Sequence, residues 1–134
     1  MEFRVMTYNI QHGLDYNRQL AGNTGLSHEI DLTQIAGVIR SLNPDVVGLN
    51  EVRGLGPQWD YTAQAETLAA MLGWHCYFAP AIWFEGEYPY GNAILSRRPL
   101  LSAQRILSRT RLSGMRTPTM RPGASSVRRS QTGL

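Results

Sequence analysis

The chain has 134 residues, 43% of them hydrophobic, enough to build one core and too few for two domains. No apolar run approaches the ~20 residues of a membrane span, and the single Cys76 excludes an internal disulfide scaffold. The net charge of +3 comes from thirteen arginines and no lysine, set against ten acids.

Residues 3–10 (FRVMTYNI) are rich in β-formers and predict a strand that opens the chain directly, without the regions of a signal peptide. With the lone cysteine, this leads to the expectation of a cytoplasmic location. The strand ends at Asn9, before Gln11-His12-Gly13. Residues 13–30, with Gly13, Gly22, Gly25, Asn17 and Asn23, read as a long loop. Asp31 is a helix cap with Gln34 three residues on. Leu32, Ile35, Ala36, Ile39 and Leu42 follow at helical spacing, and Asn43-Pro44 stops the run.

Residues 44–53 (PDVVGLNEVR) predict a buried strand of the parallel-sheet kind. Strand, helix and strand make a βαβ unit, whose parallel strands end on one edge. Open α/β sheets bind ligands at that edge, so Asn9 and Glu51 are both expected there. A carboxylate at a buried strand's end is costly unless it is paired, hydrogen-bonded or on a metal. Glu51 therefore has two readings, a functional acid or a solvated one at a loop start. Asn9 divides in the same way, between a site residue and a turn cap.

Gly54-Leu55-Gly56-Pro57 is a turn. A second helix is predicted over 60–72, with Tyr61, Ala65, Leu68, Ala69 and Leu72 on one face and Gly73 at its end. Residues 75–83 predict an aromatic strand broken by Pro80, and Glu85-Gly86-Glu87 a turn. Residues 90–96 and 101–107 predict two strands joined as antiparallel neighbours through Arg97-Arg98-Pro99. From Arg109 the composition turns to arginine, serine, threonine and proline, which is that of a disordered tail. Residues 1–108 hold seven arginines and all ten acids, a net −3; residues 109–134 hold six arginines and no acid, a net +6. Nucleic-acid binding argued from charge would rest on the tail alone.

Three segments carry a family likeness. FRVMTYNIQHG (3–13), PDVVGLNEV (44–52) and YGNAILSRRPL (90–100), in this order and at strand ends, resemble the N-terminal half of the endonuclease/exonuclease/phosphatase superfamily. The resemblance implies an α/β (α+β) fold: the first half, over 1–108, of a four-layer α/β sandwich of the deoxyribonuclease I-like type. It also implies a hydrolase of phosphodiester or phosphomonoester bonds dependent on Mg²⁺ (or Mn²⁺), the ion held by Glu51 with help from Asn9. Such an ion takes oxygen ligands, keeps several waters and acts as a Lewis acid on a phosphoryl group. The implied substrate is a phosphate ester: nucleic acid, a phospholipid head group or a small phosphoester. His12 would contact a phosphate or protonate a leaving group, although a loop histidine is commonly just solvated. Tyr90 and Asn92 are candidate substrate contacts, packing being the plainer role for the tyrosine. At most one of Arg97 and Arg98 can face a phosphate, because neighbours on a strand point opposite ways. His28 and His75 have no partner in the sequence, and His75 opens a strand.

The likeness has a gap. The family's second half supplies an Asp-x-Asn and a terminal Ser-Asp-His motif; here the only Asp-x-Asn is Asp15-Tyr16-Asn17, in the wrong place, and no acid follows Glu87. Loss of general-base help costs ~10²–10⁴ in rate. The expectation is therefore a truncated enzyme whose tail is a frameshift product, marginal in stability or completed by a partner. The alternative is a non-catalytic fragment that binds metal or phosphate while its arginine-rich tail binds acidic partners.

Overall fold

The structure, a computed structural model, describes residues 2–14 and 30–107. Among these run β1 (Val5–Asn9), α1 (Leu32–Leu42), β2 (Val46–Arg53), α2 (Gln64–Leu72), β3 (His75–Phe84) and β4 (Tyr88–Ser96). The strands form one mixed sheet in the order β1-β2-β4-β3. β1 and β2 are parallel, as the βαβ pattern demands, and pair from Val5–Val46 to Asn9–Asn50. β4 lies antiparallel between β2 and β3.

α1 starts where the Asp31 carboxylate accepts the Thr33 N–H at 2.9 Å. Leu32, Ile35, Ala36 and Ile39 are buried as predicted, but Leu42 is exposed at the last turn. Asn43, at φ 52°, ends the helix in a left-handed conformation that asparagine tolerates. α2 begins at Gln64, four residues after the predicted Asp60, because Asp60 and Tyr61 are engaged with Arg53 instead. Ala65, Leu68 and Ala69 face the core, and Gly73 at φ 69° closes the helix. Both helices join one cluster with Ile10, Val47, Leu49, Val52, Ala93 and Leu95 from one face of the sheet. Among the described residues the helices cover one face of the sheet only. On the other face Val5 (71% exposed) and Ile94 (43%) stand among Thr7, Asn50 and Asn92.

Two sequence expectations change. Pro80 does not break β3: it lies on an edge strand, where a missing N–H is tolerated, and the register shifts between Pro80 and Ile82. Residues 101–107 are not a strand. Both sides of β4 are already taken by β2 and β3, so the segment has no place beside it and is exposed. The antiparallel neighbour joined to β4 by a tight turn is β3, through Glu85-Gly86-Glu87. Of the expected loop over 13–30, residues 15–29 lie outside the described residues, as does the expected tail over 109–134, while Leu14 and Ile30 form an antiparallel bridge.

Candidate active site

The β1–β2 ladder closes with Ile10 N–H donating to the Asn50 carbonyl at 3.1 Å, and there the two chains part. The β1 side turns through Gln11 and His12, both at φ 46°, and Gly13 at φ 80°. The β2 side continues with Glu51 at φ 57°, and its register against β4 shifts between Leu49 and Val52. A left-handed residue other than glycine is costly and persists only where its surroundings hold it.

Three side chains meet at this parting. The Asn9 Nδ2 amide donates to Glu51 Oε1 at 2.8 Å, and the Tyr90 hydroxyl donates to Glu51 Oε2 at 3.2 Å. Asn9 Oδ1 accepts the Gln11 N–H at 3.0 Å, which fixes the direction of the amide. Burial, then the neighbouring Glu51 charge, push the Tyr90 phenol up to about 12, so it stays protonated and keeps its donor role at neutral pH. The His12 ring meets the Tyr90 ring edge-on, with centroids 6.0 Å apart. Asn92 stands one step away, accepting from Asn50 Nδ2 at 3.1 Å; Asn50 Oδ1 in turn takes the Thr7 hydroxyl at 3.4 Å.

Glu51 and Asn9 offer hard oxygen donors, and each Glu51 oxygen accepts one of these two bonds, leaving lone-pair capacity. Among the described residues no three of His, Cys, Asp and Glu gather as a metal cage. One carboxylate with amide help suits a cation that keeps most of its waters, which is the habit of Mg²⁺.

The other candidates lie elsewhere. Arg97 bonds the Pro44 carbonyl and the Asn43 side chain and lies over the Trp74 ring, at the far end of the sheet from Glu51. His75 opens β3 and is exposed. His28 and Asp15-Tyr16-Asn17 fall outside the described residues. Two features escaped the sequence reading. Arg53, which follows Glu51 by two, pairs with Asp60 at 2.7 Å and lies 4.7 Å over the Tyr61 ring. Gln64 is wholly buried between His12 and Arg53. A polar residue one turn before Leu68, on a core-facing stripe, was its only trace in the sequence.

The model of the Endonuclease/Exonuclease/phosphatase family matches residues 6–130. Among solved structures, an endonuclease/exonuclease/phosphatase from Beutenbergia cavernae DSM 12333 is 31% identical, with a TM-score of 0.59. The match covers 75% of this chain and 27% of that one. A family protein from Leptotrichia buccalis C-1013-b, 17% identical with a TM-score of 0.52, supports the fold alone; the match covers 75% of this chain and 39% of that one. No curated protein matches. The chain thus spans about a quarter of the length of the first of these relatives and two fifths of the second.

Proposed function

The chain belongs to the endonuclease/exonuclease/phosphatase family, and from that premise we propose that it hydrolyses phosphate esters with the help of Mg²⁺ or Mn²⁺. The observation that carries this is Glu51, kept in a strained backbone conformation and bonded on both oxygens, by Asn9 and Tyr90. Strain of this kind collects at functional sites. A bound divalent ion would polarise the phosphoryl group and offset charge on the leaving oxygen.

The chain's own groups have separate tasks in this reading. Glu51 supplies the negative charge that holds the ion. Asn9 fixes the direction of Glu51 and has a second lone pair on Oδ1 to offer. Tyr90, kept protonated, orients the other carboxylate oxygen. His12 contacts the phosphate or passes a proton to the leaving group, and Asn92 meets the substrate. The substrate class is a nucleic acid, a phospholipid head group or a small phosphoester. No acid follows Glu87 in this sequence, and general-base help of the kind worth ~10²–10⁴ in rate is not assigned to any residue of this site.

Hydrolysis of bis-p-nitrophenyl phosphate and of plasmid DNA tests the proposal. Turnover should require Mg²⁺ or Mn²⁺ and vanish in EDTA and in Glu51→Ala. Activity that survives both, or a chain that neither turns over nor binds Mn²⁺, refutes it. The acid-free run of six arginines over 109–134 favours a second reading, a module that binds acidic partners. DNA binding that weakens with salt, survives Glu51→Ala and is lost on deletion of 109–134 would support that module.

A further inference from the structure

Beyond the Asn9–Asn50 pair β2 runs on to Arg53 without β1 beside it. Gly54 N–H donates toward β4, to the Pro89 carbonyl at 2.9 Å. Successive strand amides point to opposite sides, so the Arg53 N–H points into the space β1 has left. There it meets Gln64 Oε1 at 2.9 Å. The other end of the same side chain, Nε2, donates to the His12 carbonyl at 2.7 Å, on the chain leaving β1. A primary amide has one acceptor end and one donor end, as a peptide group does. Gln64 therefore takes the place of a missing strand neighbour and rebuilds the ladder where it opened.

We propose that Gln64 is a positioning residue that sets the spacing of Asn9 and Glu51. The proposal rests on the hydrolase reading for its purpose, but not for its geometry. His12 is three residues from Asn9, and Arg53 is two from Glu51. Both intervening stretches contain left-handed residues, Gln11 and His12 on one side and Glu51 on the other. Such residues relax unless tied. Gln64 ties both stretches to one rigid point, the first turn of α2, with no water in competition, because it is 0% exposed. An apolar side chain of equal length would pack in its place and lose both bonds. Its partners lie 52 and 11 residues away, so the strap joins three separate parts of the chain.

The test uses the full chain, free of metal, and follows the Asn9 side-chain amide by ¹⁵N–¹H NMR, assigned through Asn9→Asp. In Gln64→Met the Asn9 signals should move toward those of a solvent-exposed asparagine, and the Arg53 amide should exchange at least ~10-fold faster. The Ala93 and Leu95 amides should keep their protection, which shows that the fold survives. An unmoved Asn9 signal beside an unprotected Arg53 amide overturns the proposal. If Gln64→Met does not fold, Gln64→Glu takes its place: it keeps the acceptor for Arg53 and loses only the donor to His12, so the Asn9 signals should move while the Arg53 amide keeps its protection, and unmoved Asn9 signals overturn the proposal. A Mn²⁺ titration then separates this idea from the hydrolase reading. Binding should weaken about 10- to 100-fold in Gln64→Met, with no further loss when Gln64→Met is added to Glu51→Gln. An Asn9 response as expected in a chain that binds no Mn²⁺ sinks the hydrolase reading and leaves the positioning role standing; the reverse pattern sinks the positioning role alone.

Discussion

Glu51 sits at φ 57° where the register of β2 against β4 shifts, an arrangement that glycine would adopt at no steric cost. Function and stability should therefore part at this position. Glu51→Ala keeps the left-handed penalty and loses both hydrogen bonds, whereas Glu51→Gly loses the bonds and the penalty together. In EDTA, Glu51→Gly should be about 1 kcal/mol more stable than Glu51→Ala, read from urea midpoints, while neither binds Mn²⁺. Equal midpoints would show that the strain is not real. Cys76 gives a pH prediction away from the site. Burial, then the nearby Glu66 charge, raise its thiol above the usual value, so the thiolate forms later than in a free cysteine. A thiolate-directed reagent should react with Cys76 more slowly than with a free cysteine at the same pH and gain speed as the pH rises, and Glu66→Gln should speed it modestly at fixed pH. At this scale the sequence was partly readable. Asn9 and Glu51 announced themselves as polar ends of apolar strands. The bond from Tyr90 to Glu51 did not, because it depends on β4 lying beside β2, and Gln64 is recognisable only once the helix and both strand exits are in place.

β1, α1 and β2 form the element most legible from local pattern, since Asp31, the stripe from Leu32 to Ile39 and Asn43 agree on where the helix starts, faces and stops. The β3–β4 hairpin was harder. Residues 101–107 look as much like a strand as residues 90–96, and only the occupancy of both β4 edges excludes them. Within the hairpin, Gly91 is fixed by close approach. A Cβ there would lie 2.2 Å from the Ala79 carbonyl oxygen and 2.7 Å from the Ala81 nitrogen, both backbone atoms. Gly37, on α1, has open space around the same added atom. Gly91→Ala should cost about 1–3 kcal/mol by forcing β3 away, and Gly37→Ala should add about 0.5–1 kcal/mol through helix propensity. Thermal melts of the two variants against the parent check the pair. A harmless Gly91→Ala would mean that β3 and β4 do not approach as closely as described.

The sheet as a whole has helices on one side and, among the described residues, no covering layer on the other. An antiparallel sheet can face water if its outer side chains are polar. Here the outer face is divided. Toward the site it carries Asn9, Asn50 and Asn92; away from it stand Val5 and Ile94, with Val46 partly shielded. The polar end suits an open, solvated rim. The apolar end suits a covered layer, because burying each such side chain is worth ~1.5–3 kcal/mol. The solved relative from Beutenbergia cavernae is matched over only 27% of its length, so most of that protein has no counterpart here. The isolated chain is then expected to hide Val5 and Ile94 against another surface, its own copies included. Light scattering should rise with protein concentration, and a dye specific for apolar surface should bind at neutral pH. Replacing Val5 and Ile94 by threonine keeps the β-branched shape that strands favour and removes the reason to associate. The double variant should bind less dye and scatter less at the same concentration, with its melting midpoint changed little, since neither residue is in the core. A parent chain that stays monomeric, binds no dye and melts in one sharp step would show that this face is finished as it stands, and that the apolar end needs no cover.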